Sequence, residues 1–103
     1  MQIPKKIKIG GHILTVRFSE DIGNMGEWHS AKQIIKLYKD NCQSQHEETL
    51  LHEIVEAING LYEFNLPHDK IQILGAVLHQ IIKDNPGMFR DEKKNRKKEK
   101  RPA

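Results

Sequence analysis

The densest apolar periodicity in the chain lies between Thr49 and Leu61. Leu50, Leu51, Ile54, Val55, Ala57, Ile58 and Leu61 recur at three- and four-residue spacing and predict an amphipathic helix. Ser44 and Glu47 stand ahead of it at the S-x-x-E spacing of a capping box, which sets the helix at about Gln45 to Tyr62. Gly60 weakens its end, and residues 63–67 make a turn. His68 then opens a second helix, Asp69 to about Lys83, with Ile71, Leu74, Val77, Leu78, Ile81 and Ile82 as its apolar side. Asn85-Pro86-Gly87 stops it, and Met88 and Phe89 are placed to fold back as a last apolar plug.

Upstream the period changes from helical to alternating. Ile7 and Ile9 alternate with lysines, and Leu14, Val16 and Phe18 with Thr15 and Arg17, so residues 3–18 read as a β-hairpin. Gly10-Gly11 supplies the positive φ of its two-residue turn. His12 follows the turn as solvent-facing strand surface. After the polar connection Ser19 to Gly26, a third strand centres on Gln33 to Tyr38 and is bounded by Asp40-Asn41. Trp28, upstream of it, reads as a partial core plug. Strands followed by helices indicate an α+β domain over residues 1–89, a small antiparallel three-stranded sheet packed with two helices.

Beyond Phe89 the pattern ends. Residues 90–103 hold eight Lys or Arg and three acids, a net of +5. The whole chain is +3, so residues 1–89 carry −2 and the basic balance belongs to the tail. With almost nothing apolar to bury, the tail is expected to be disordered. No apolar run is long enough to span a membrane, and MQIPKKIKIGG lacks the apolar core of a signal peptide. Cys42, the single cysteine, excludes an internal disulfide and reads as a half-buried loop thiol. A cytoplasmic protein is the simplest reading.

The first helix also carries chemistry. At 100° per residue His52, Glu56 and Asn59 share one stripe, with Glu53 at its edge. His52 and Glu56 are one turn apart, so their side chains can converge on one point. The pattern H-E-x-x-E is one letter from H-E-x-x-H, where two histidines hold zinc and the glutamate between them is the general base. Zinc accepts a carboxylate oxygen at nearly the distance of an imidazole nitrogen, about 2.0–2.2 Å. A third ligand must come from elsewhere. His68, across the turn between the helices, is the first choice. His79, which shares a face with His68 and Gln72, is the second, and His29 reaches a metal only if its loop folds over the helix. Two His and one carboxylate would leave Glu53 free as base. Three letters alone are weak evidence, because a glutamate-rich wet face yields them by accident.

Three stretches, IPKKIKIGGHILTV, TLLHEIVEAIN and LPHDKIQILGAVLHQIIKDNPGMF, together with QIIKL, resemble a group of small phage and prophage proteins that look like minimal zinc metallopeptidases. Many of these carry H-E-x-x-H-A-I in the helix; others carry H-E-x-x-E-A-I-N followed by a Leu-x-His segment. This chain is similar to the second kind, having both Glu56 and His68. The resemblance implies a zincin-like fold in a bacterial host cell, with zinc held by His52, Glu56 and His68 and Glu53 as base.

An enzyme of this kind would hydrolyse peptides, with the third strand offering an edge for an extended substrate. A carboxylate ligand weakens the metal as a Lewis acid, so slow turnover is expected. His29 and His79 are candidates for stabilising the oxyanion. The competing class is an inactive zincin-like binding or regulatory module, with a structural metal or none, whose partner is another protein. Nucleic acid enters only through the tail, as nonspecific phosphate contact without aromatic stacking.

Overall fold

Four strands precede two helices: β1 (Lys6–Ile9), β2 (His12–Ser19), β3 (Gly26–His29), β4 (Ile34–Tyr38), α1 (Gln43–Tyr62) and α2 (His68–Asp84). A computed structural model describes residues 1–89, so the expectation of a disordered tail falls outside the described residues. The α+β class holds, but the sheet has four strands in the order β1-β2-β4-β3 and is not wholly antiparallel.

The first hairpin follows its sequence pattern. Gly10 and Gly11 adopt φ of 53° and 82°, the paired positive values of a type I′ turn, and Ile7 faces Leu14 across the ladder. The second half of the sheet corrects the expected one. The segment upstream of QIIKL forms a strand of its own, β3, antiparallel to β4, with Trp28 opposite Ile35. Its turn, residues 30–33, has no glycine or proline, and Gln33 takes the positive φ of 53°. β4 then runs parallel to β2, with Val16 opposite Ile35. Residues 20–25 carry the chain out past the position of β4, which fills the gap on its return. QIIKL is therefore central, and the sheet edges are β1 and β3, at opposite ends of the order.

One face of the sheet makes the core. Leu14, Val16, Ile35 and Leu37 are buried with Leu50 and Ala57 of α1, and Trp28 and Ile54 pack against them. Trp28 is the half-buried plug its position implied. Phe18 continues the alternation but lies half exposed at the sheet end, against the ring of His46 at a centroid distance of 4.8 Å.

Several local expectations change. α1 begins at Gln43 behind Cys42, which is exposed, and Ser44 does not cap it. The Glu47 carboxylate expected in the capping box instead accepts hydrogen bonds from Gln43 and from His79 of α2. α2 packs on α1 rather than on the sheet, so Leu74, Val77 and Leu78 of its apolar side stay exposed while Ile71 is buried. Met88 and Phe89 are also exposed and plug nothing. Among the described residues no helix is long and apolar enough to cross a membrane.

Candidate metal centre

His52 and Glu56 occupy successive turns of α1 and face the start of α2. Whether His68 reaches them depends on the connection between the helices, and Asn59 determines it. Its side-chain oxygen accepts a hydrogen bond from the Leu66 N–H at 2.9 Å, and its amide donates to the Leu66 carbonyl at 3.3 Å. Within the loop so closed, Glu63 and Asn65 take positive φ of 54° and 58° and reverse the chain sharply. Glu63 ends α1, its N–H bonding the Asn59 carbonyl. The first turn of α2 thereby returns to the His52 stripe.

The result is a group of three. Ligating atoms of His52, Glu56 and His68 lie within 4.8 Å of one another. The His52 and His68 rings meet edge-on with centroids 5.2 Å apart, and His68 Nδ1 is 4.0 Å from Glu56 Oε1. Tetrahedral zinc with bonds of about 2.1 Å spaces its ligands ~3.4 Å apart. The group would need only small side-chain rotations to reach an ion, which the 72 % exposed His68 side chain is free to make. Two imidazoles and a carboxylate are a donor set suited to a divalent transition ion. The three residues could hold a metal ion, and their chemistry fits one.

Burial prepares the donors. It lowers the His52 pKa, Glu56 pulling the other way and His68 adding to the decrease. The neutral imidazole, the ligating form, is favoured accordingly. Glu53, one residue on, is buried, and no hydrogen bond satisfies it among the described residues. Desolvation first, then the Glu56 and Glu27 charges, push its carboxyl up to about 7.

These groups line a cleft of about 630 Å³ between α1, the start of α2 and the full length of β3. His29 lies on its wall, held by Glu27, to which its Nε2 donates at 2.9 Å. It comes from the edge strand, not from a loop folded over the helix. His79 is elsewhere: it is buried and donates to Glu47 at 3.0 Å, which removes it as third ligand and from the cleft. His12 accepts a hydrogen bond from Gln33 and takes no part.

Two glycines set the walls. A Cβ at Gly26 of β3 would lie 2.5 Å from Thr49 Cγ2 and 3.1 Å from Glu53 Oε2, so the edge strand comes this close to Glu53 only without a side chain there. Gly75 lets α2 approach the backbone of His52 in the same way. A glycine inside an apolar helix costs about 1 kcal/mol of helix propensity, and that was the signal in the sequence for Gly75. Asn59 lies in the same stripe as His52 and Glu56, but nothing in the sequence tied it to Leu66.

No protein-family model matches the chain, and no curated protein or solved structure matches it significantly. The functional reading therefore rests on the site.

Proposed function

We propose that the chain is a zincin-like, zinc-dependent peptidase of the small phage and prophage kind its motifs resemble, working slowly on extended peptides. The observation that supports this most is the meeting of His52, Glu56 and His68 within 4.8 Å, directly beside the buried Glu53. His52 and Glu56 would hold the ion from one helix and His68 would complete the set from the other. Zinc in this position would polarise a carbonyl and bring the pKa of water toward about 7. Glu53 takes the proton from the attacking water and gives it to the leaving amine as the amide bond breaks. Burial among the Glu56 and Glu27 charges keeps its carboxyl above the ordinary carboxylate range in the metal-free protein, which favours the acid form that hands a proton on.

The substrate's place follows from β3. That strand has no neighbour on its outer side, and all four of its residues line the cleft. An extended peptide pairing there would run alongside Glu53. His29, on the wall of the same cleft, is the candidate for stabilising the developing oxyanion. The carboxylate of Glu56 would offset more of the ion's charge than an imidazole, so turnover is expected to be slow.

The test is cleavage of an unstructured peptide library by zinc-loaded protein, with Glu53→Gln as control. Slow cleavage lost in Glu53→Gln supports the proposal. Zinc binding without any cleavage would make the protein a metal-holding binding module instead.

A further inference from the structure

α2 is apolar around far more of its circumference than α1 covers. At 100° per residue, Ile71, Gly75 and His79 turn toward α1 and are buried, and Gln72 and Ala76 turn toward the cleft. On the side away from the cleft Ile73, Leu74, Val77 and Leu78 are 57, 42, 47 and 38 % exposed. They form one continuous stripe on a helix that rests on α1 and not on the sheet.

The charges at the ends of the stripe indicate what covers it. Lys70, Val77 and Asp84 are spaced by sevens, which keeps them within about 20° per step along one line. The cation stands at the start of the line, the carboxylate at its end and the valine midway. A two-fold axis at Val77 would set Lys70 against the partner's Asp84, Ile73 against the partner's Ile81, and Val77 against itself. Such self-complementarity is what a two-fold interface requires. A parallel pairing would oppose lysine to lysine and aspartate to aspartate. Gln80 already holds Asp84 Oδ2 at 2.9 Å, leaving the other oxygen for a lysine.

We infer that two copies of this chain associate through an antiparallel pairing of α2 centred on Val77. The ends of the helix extend the contact. Phe64 precedes α2 and Met88 and Phe89 follow it, all more than half exposed. Antiparallel pairing brings the end of one α2 beside the start of the other, so Phe64 approaches the partner's Met88 and Phe89. Covering these apolar groups removes several hundred Å² from each copy, of the order of the ~800 Å² per partner of a standard interface. Both clefts stay open, because Gln72 and Ala76 lie on another side of the helix. The inference is therefore independent of the peptidase proposal.

Sedimentation equilibrium of the full chain over a range of micromolar concentrations tests it. The wild type is expected to show a monomer–dimer equilibrium. Val77→Glu, which sets two carboxylates on the axis, should leave only monomer with an unchanged circular dichroism spectrum. Lys70→Glu should weaken the dimer about tenfold, as expected for two exposed ion pairs turned repulsive, and Lys70→Glu with Asp84→Lys should restore it. A wild type that stays monomeric throughout overturns the inference, as does a dimer indifferent to Val77→Glu. A dimer lost in Val77→Glu but unaffected by Lys70→Glu overturns the antiparallel register.

Discussion

Gly75 of α2 lies against the backbone of His52: a Cβ at position 75 would sit 2.9 Å from His52 Cα and 3.1 Å from its N. The two helices can be this close only because one of them carries hydrogen there, and His52, one of the three residues that could hold a metal ion, stands at the point of contact.

Gly75→Ala should therefore destabilise the protein even though alanine favours the helix by about 1 kcal/mol. The added methyl meets backbone, which cannot step aside, and overpacking of this kind costs about 1–3 kcal/mol. Urea unfolding should show the loss, and zinc affinity should fall with it because α2 carries His68 away from His52. A stabilised Gly75→Ala variant would contradict the close approach.

Asn59→Ala removes both hydrogen bonds that close the loop before His68. The expected cost is about 1–3 kcal/mol for leaving the half-buried Leu66 groups unpaired. Zinc binding should weaken although no ligand is touched. Equal weakening of zinc binding and of global stability in Asn59→Asp, which keeps the oxygen that accepts from Leu66, would argue against a positioning role.

The pH dependence of the metal-free protein should come from Glu53. Its folded pKa of about 7 lies above the ordinary 4.5, so the folded state favours the protonated acid. That contribution is complete below pH 4.5 and is lost as pH rises through 7, on the order of 3 kcal/mol in total. Glu53→Gln, neutral at every pH, should be more stable than the wild type at pH 8 and nearly equal to it at pH 4. Denaturant titrations at the two pH values decide this, and a wild type favoured at pH 8 would refute it.

Much of this arrangement was legible in the sequence. The periods of α1 and of the first hairpin gave their elements, and the H-E-x-x-E spacing with His68 across the turn pointed to the three residues that meet. β3 was not legible, because Gly26-Glu27-Trp28-His29 has no apolar alternation and its turn lacks glycine, proline and asparagine. The parallel pairing of β2 with β4 was hidden for the same reason: without β3 nothing carries the chain outward. That one apolar side of α2 stays exposed was not legible, because periodicity cannot say how many neighbours a helix has. His79 could not be separated from His68 by spacing alone, and its bond to Glu47 is a contact across 32 positions.

That bond yields a contrast. His79→Ala should lose stability, since His79 and Glu47 are both largely buried, by about 1–3 kcal/mol, yet keep its metal. His68→Ala, at an exposed position, should keep its stability in the metal-free form and lose the metal. Thermal melts with and without zinc separate the two, because an ion bound only by the folded state raises the melting temperature.

The central claim is that His52, Glu56 and His68 act as one metal site, and calorimetric titration of zinc into the untagged, metal-stripped protein tests it most directly. One ion per chain is predicted for the wild type and for His79→Ala, with binding abolished or reduced by orders of magnitude in His52→Ala, Glu56→Ala and His68→Ala. No zinc binding by the wild type, or binding that His68→Ala leaves intact, would contradict the account.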